Sequence, residues 1–142
     1  MISKSAKYAL RAVLYLASKN DDGVYYKVRT IAREIDAPAA FTAKILQELN
    51  RNGIVSSLKG PHGGFFIDRT QQKRPIITIV KIIDGEALFT SCGLGLKSCS
   101  EDHPCPLHND YKEIRGKLVK LFESTSIKKL AEKTADMAVF LT

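Results

Sequence analysis

Cysteine is scarce in this chain, at three residues in 142. An odd number cannot all pair within one chain, and a reducing cytosol disfavours disulfides, so metal binding or thiol chemistry is what remains. No apolar run is long enough to span a bilayer. The opening stretch interrupts its apolar residues with Lys4, Lys7 and Arg11 and lacks the core of a signal peptide, which leads us to expect a cytoplasmic protein with no membrane partner. There is no nucleophile and base arrangement, and no phosphate-binding glycine loop of the P-loop or dinucleotide kind, so no hydrolytic or transfer enzyme is expected. Acid is also scarce, but only in one half. Residues 1–74 carry thirteen Lys and Arg against six Asp and Glu, whereas residues 75–142 carry nine against nine, so the whole net charge of +7 lies in the first half. A basic half joined to a neutral one is the footprint of a nucleic-acid-binding module attached to something with another task; a solvated basic surface accounts for the charge equally well.

The length is that of one compact unit able to bury a core without staples. From Ser5 to Ser18 the residues Ala6, Ala9, Leu10, Val13, Leu14, Leu16 and Ala17 cover most of a helix circumference, leaving Lys4, Lys7 and Arg11 near one stripe. Asn20-Asp-Asp-Gly23 signals a turn, and Val24 to Val28 reads as extended. A short helix follows to Ile35, with Ile31, Ala32 and Ile35 on one side and Arg29 and Arg33 on the other. Pro38 suits the first turn of the next helix, which places Phe41, Ile45, Leu46 and Leu49 inward to about Asn52 and ends at Gly53. Ala39, Ala40, Thr42, Ala43, Lys44 and Gln47 then face outward. Two such helices have the form of a helix-turn-helix. Ile54 to Leu58, the turn Lys59-Gly-Pro-His-Gly-Gly64 and Phe65 to Ile67 read as a β-hairpin, in the place of a wing. The residues expected to meet DNA are Lys4, Arg29, Thr30, Pro38, Ala39, Ala40, Thr42, Lys44, Lys59, His62 and Gly63.

In the second half, Thr78 can cap a short helix from Ile79 to Asp84 that stops at Gly85. Asn109 or Asp110 can cap a longer one to about Ser124, where Tyr111, Ile114, Leu118, Leu121 and Phe122 form an apolar stripe. Because a winged module gains affinity and palindromic specificity by pairing, that stripe is expected to be a homodimer seam. Ser126 starts a last helix, and the tail Met137 to Leu141 is apolar. The fold class is therefore mainly α with a small β-hairpin: a winged helix-turn-helix over residues 1–74, a short helix and ligand loop over 75–108, and dimerisation and C-terminal helices over 109–142.

All three cysteines lie between residues 92 and 108, in the pattern C-x6-C-x5-C-x2-H. Thiolate is a soft ligand and imidazole a borderline one. Structural zinc usually employs closer Cys pairs, and none occurs here. An iron-sulfur cluster is larger, so ligands five or six residues apart can wrap round it. Cys92, Cys99 and Cys105 supply three ligands; the fourth is His108, another oxygen or nitrogen donor such as Asp102 or His103, or vacant. A structural zinc on Cys92, Cys99, Cys105 and His108, uncoordinated thiols that sense oxidation, and a small electron carrier are the alternatives.

Over nearly its whole length the sequence resembles the Rrf-two family of bacterial winged-helix transcription regulators, whose iron-sulfur members include IscR-like and NsrR-like proteins. The resemblance rests on Lys7-Tyr-Ala-Leu-Arg-Ala12, on Gly53-Ile-Val-Ser-Ser-Leu-Lys-Gly-Pro-His-Gly-Gly64, and on three cysteines before a long helix. It implies a homodimer whose long helices cross between subunits, and a cluster whose state alters binding to a palindromic double-stranded DNA operator. Cys105-Pro-Leu-His108 matches the IscR-like arrangement with a histidine as fourth ligand, which favours a 2Fe-2S cluster. Six residues separate Cys92 from Cys99 where five are typical, so an NsrR-like 4Fe-4S centre stays open. His62 stands where the family usually has glycine.

Overall fold

A computed structural model describes residues 1–19, 23–136 and 140–142. The central element is α1 (Lys4–Lys19), which buries Ala6, Tyr8, Ala9 and the run Ala12 to Ala17. It packs most extensively against three other helices, α3 (Ala39–Arg51), α4 (Ile77–Asp84) and α7 (Ile127–Asp136), and also meets the helix that precedes α3. A helix apolar over most of its circumference has to be enclosed in this way. Between α1 and α3 runs α2 (Val28–Glu34), whose Ile31 and Ala32 are buried. Asp36 takes a left-handed turn at φ 50° before Pro38, which stands just ahead of the first residue of α3. Leu46 and Leu49 are fully buried, each worth about 1.5–3 kcal/mol of transfer from water. Gly53 closes the helix in the left-handed region, at φ 73°.

The expected hairpin forms from β1 (Ser56–Leu58) and β2 (Gly64–Phe66), antiparallel, with Leu58 opposite Gly64. Tyr26 adds a bridge on the far side of β2, exchanging two backbone hydrogen bonds of 2.8 Å with Phe65. The extended stretch before α2 thus adds a single bridge to the two-stranded wing. Gly64, at φ 152°, lies so close to it that a Cβ would stand 2.4 Å from the Tyr26 carbonyl oxygen.

Beyond the wing the chain is tied in both directions. Asp68 and Gln71 bond each other reciprocally, each backbone N–H to the other's side-chain oxygen. The Gln71 amide also donates to Ser56 Oγ at 3.0 Å. Arg74 donates from its guanidinium to the carbonyl of Asn52 at the end of α3, at 3.1 Å. Its own carbonyl accepts the N–H of Ile127, while Ile76 N–H donates to Thr125. One residue therefore touches both the end of α3 and the corner between α6 (His108–Ser124) and α7.

Several details depart from the sequence. The helix expected from Ile79 begins at Ile77, with Thr78 in its first turn and no side-chain cap. A single helical turn, α5 (Ala87–Thr90), precedes the cysteine loop. Helix α6 opens at His108 itself, before either expected cap. Ser126 does act as expected, its Oγ accepting the N–H of Lys129 at 3.1 Å. Arg11 is tied into the fold rather than free on the basic stripe: its guanidinium lies over Tyr8 at 4.9 Å and donates to the carbonyl of Ile35 at 3.2 Å. Of the apolar tail, Leu141 packs on the core; Asn20 to Asp22 and Met137 to Val139 lie outside the described residues. Among the described residues no helix is long and apolar enough to cross a membrane.

Candidate metal centre and DNA-facing surface

The cysteine loop is shaped by its glycines and by α6. Gly95 sits at φ 70° and donates to the Cys92 carbonyl at 3.0 Å, which folds residues 92–95 into a tight turn. Gly93 lies flat on Tyr111, where a Cβ would meet the ring at 2.7 Å. Arg115 donates to the Ser91 carbonyl at 2.7 Å, fixing the loop where it leaves α5. At the other end, the His108 N–H donates to the Cys105 carbonyl at 2.9 Å, so the last cysteine leads directly into the helix.

These constraints bring Cys92, Cys99 and Cys105 together, their sulfurs all within 4.8 Å of one another; among the described residues no other such group of three or more metal-ligating side chains occurs. Cys92 and Cys105 Sγ are 3.7 Å apart, and Cys99 Sγ is 3.2 Å from His108 Nδ1. Two thiolates on one tetrahedral metal at about 2.3 Å each are separated by about 3.8 Å. Three thiols at this spacing suit a soft or borderline metal, while the His108 imidazole reaches Cys99 alone and lies outside the mutual group of three. Asp102 and His103, the other candidate donors, are exposed and outside the triangle.

The electrostatics favour deprotonation at one point. The backbone N–H groups of Leu96 and then Leu94 hold the Cys92 thiol down to about 7. Cys99 is pulled down by the backbone of Cys105, but burial and the neighbouring sulfurs outweigh this and raise it. Lys112 forms an ion pair with Glu101 and keeps that carboxyl below its usual range.

The second surface comprises α3 and the wing. Lys4, Arg29, Pro38, Ala39, Ala40, Lys44, Lys59 and His62 are exposed, and Thr30 is half-buried. Two of the expected DNA-facing residues are not available. Thr42 is buried, its hydroxyl bonded to the Pro38 carbonyl at 2.9 Å, while Phe41, expected inside, is 39 % exposed and meets Tyr8 edge-on. Gly63 is buried in the hairpin, where a Cβ would clash with the Leu58 carbonyl, rather than free at its tip. Between α3 and the wing runs a cleft of about 420 Å³ lined by residues that include Gln47, Arg51, Ser57 and Lys59. Arg51 was not singled out from the sequence; its place one turn beyond Gln47 was the available signal.

The Rrf2 family, described as iron-dependent transcriptional regulator, matches residues 2–133. The chain belongs to the Rrf2 family. A relative in Aquifex aeolicus, named as an HTH-type transcriptional regulator, is 36% identical over 132 residues, covering 92% of this chain and 90% of its own. The transcriptional regulator IscR of Xenorhabdus nematophila is 21% identical, over 92% of this chain and 79% of its own. Among solved structures, CymR of B. subtilis, titled a global cysteine regulator, superposes with a TM-score of 0.78 at 20% identity, covering 94% and 98% of the two chains. IscR of T. potens gives 0.74 at 17% identity, covering 98% and 90%. This Rrf2 chain is thus a DNA-binding transcriptional regulator of winged-helix fold, and not an enzyme.

The expected dimer stripe divides within this Rrf2 protomer. Ile114 and Leu121 are 64% and 58% exposed. Tyr111 and Leu118 are half-buried, and Phe122 is buried against Phe89 at 5.9 Å between centroids. Phe122 belongs to the protomer's own core and is not open to a partner.

Proposed function

We propose that this Rrf2 regulator carries an iron-sulfur cluster on Cys92, Cys99, Cys105 and His108, and that the state of the cluster controls its binding to a palindromic operator. The observation that carries this reading is the convergence of three sulfurs within 4.8 Å, with His108 Nδ1 beside Cys99. A bound cluster supplies a group that responds to oxidation, loss or nitric oxide. The chain's own residues supply the rest. Cys92 offers a thiolate near neutral pH. A 2Fe-2S form is favoured by the histidine, with 4Fe-4S as its alternative. Residues 1–74 form the DNA-binding region, with Lys4, Arg29, Thr30, Pro38, Ala39, Ala40, Lys44, Lys59 and His62 toward the duplex. Residues 75–108 hold the ligands, and residues 109–142 the pairing helix. Two copies associate through Ile114, Leu118 and Leu121, because isolated large apolar groups on one helix face gain most from a matching face. Arg74 stands between the two regions, bonded to the end of α3 and to the start of α7.

Anaerobic purification followed by iron, sulfide and zinc analysis and a visible spectrum tests the cluster. Coloured protein with iron and sulfide in equal amount is expected. A colourless protein holding one zinc per chain would support a second reading, a zinc-stabilised thiol sensor on the same scaffold, which the 3.7 Å separation of Cys92 and Cys105 also fits.

A further inference from the structure

We propose that Glu101, held by Lys112, is the positioning residue that fixes the His108 imidazole with Nδ1 toward the thiols. This rests on the metal-centre reading above, but on the donor set alone and not on the type of group it holds. The His108 side chain is 12 % exposed, and its two nitrogens face different chemistry. Nδ1 lies 3.2 Å from Cys99 Sγ. Nε2 is shut off from solvent without a hydrogen-bond partner, and Glu101 Oε1 stands 3.5 Å from it. A neutral imidazole has one donor and one acceptor nitrogen. If Nδ1 is to offer its lone pair to a metal, the proton belongs on Nε2, and Glu101 is the carboxylate beside it. Histidines that bind metals almost always give their second N–H to a carboxylate, carbonyl or water, which fixes the ring and strengthens its donor nitrogen.

Glu101 is 68 % exposed, so nothing in the packing alone would hold it there. Lys112 does, by an ion pair to the same Oε1. His108 and Lys112 are four residues apart on α6 and therefore on one face of it. The helix thus presents the imidazole and the cation that aims the carboxylate at it, and a small movement of an exposed side chain closes the remaining gap.

The test is a Co²⁺ titration of the reduced, metal-free full chain without oxygen, followed by thiolate-to-cobalt absorption. Glu101→Ala should weaken Co²⁺ binding by about 10–100-fold. Glu101→Gln, whose amide oxygen still accepts the N–H, should recover part of that loss. In a His108→Ala background, Glu101→Ala should cost nothing further, because the carboxylate acts only through the ring. An unchanged affinity for Glu101→Ala, or an equal loss in both backgrounds, would overturn the proposal. If cobalt behaves as expected while the chain never retains iron and sulfide, the cluster reading fails and the role of Glu101 stands. A wild-type chain that binds no cobalt overturns the role of Glu101, while iron and sulfide analysis decides the cluster reading separately.

Discussion

Replacing Lys59 by alanine isolates the contribution of the wing. Lys59 is exposed at the hairpin tip and has no ionic partner among the described residues. Its removal leaves no unpaired acid behind, and the folded chain should keep its stability to within about 0.5 kcal/mol. If the ammonium neutralises one phosphate, its loss lowers the log–log salt slope of binding by about 0.9, which corresponds to about eightfold weaker binding at 0.1 M salt and almost no difference near 1 M. Operator binding by fluorescence anisotropy across a salt series reads both the affinity and the slope. Lys133→Ala is the control, since that residue is exposed on α7 and far along the chain from the wing. An affinity loss with an unchanged slope would place Lys59 away from phosphate. Equal slope changes for Lys59 and Lys133 would mean that only net charge is being read.

Other substitutions examine other parts of the structure. Gly64→Ala should break the paired Tyr26 and Phe65 bonds and strain a backbone at φ 152°, for about 2–4 kcal/mol and a Tm lower by about 5–15 °C; an unchanged Tm would contradict the contact between Gly64 and Tyr26. Phe122→Ala should cost about 3–5 kcal/mol in urea denaturation because it empties a packed site against Phe89. Ile114→Glu should leave the protomer folded but yield monomers in sedimentation, and dimers in that variant would rule out the α6 seam. In the reduced, metal-free chain the Cys92 thiol lies below its ordinary value, so its reactive thiolate is present above about pH 7 and lost below it. Iodoacetamide should therefore label Cys92 along a curve centred near that pH and ahead of Cys99, whose thiol is raised. Labelling in the reverse order would remove the assigned N–H donors.

What was legible in the sequence depended on local signals. The apolar periods of α1 and α3 and the glycine at residue 53 act within a few residues, and each produced the expected element. The exchange of Phe41 and Thr42 was not legible, because spacing counts polarity and not the means of satisfying it. Thr42 enters the core since the Pro38 carbonyl takes its hydroxyl, while the bulkier Phe41 settles at the rim against Tyr8. Gly63 is expected to meet DNA as part of the turn; the register, with Leu58 opposite Gly64, folds it back into the hairpin. Around the cysteines the donor types were visible, but not the mutual distances. The pairing of Glu101 with Lys112 spans eleven positions, from the irregular loop into the second turn of α6, and leaves no periodic trace. Single-turn α5 is too short to show a period at all.

His108 is both the last donor of the loop and the first residue of α6. Helix ends fray, since their first four N–H groups have no partner within the helix, and opening the first turn is the lowest-energy excursion such an element makes. Anything that grips the imidazole holds that turn closed, by an amount set only by how tightly and at what concentration it binds. Occupancy of the loop is thereby written into the length of the helix that is folded at any moment. Amide hydrogen exchange at residues 109–112 would follow that length directly, before any change elsewhere in the molecule is considered.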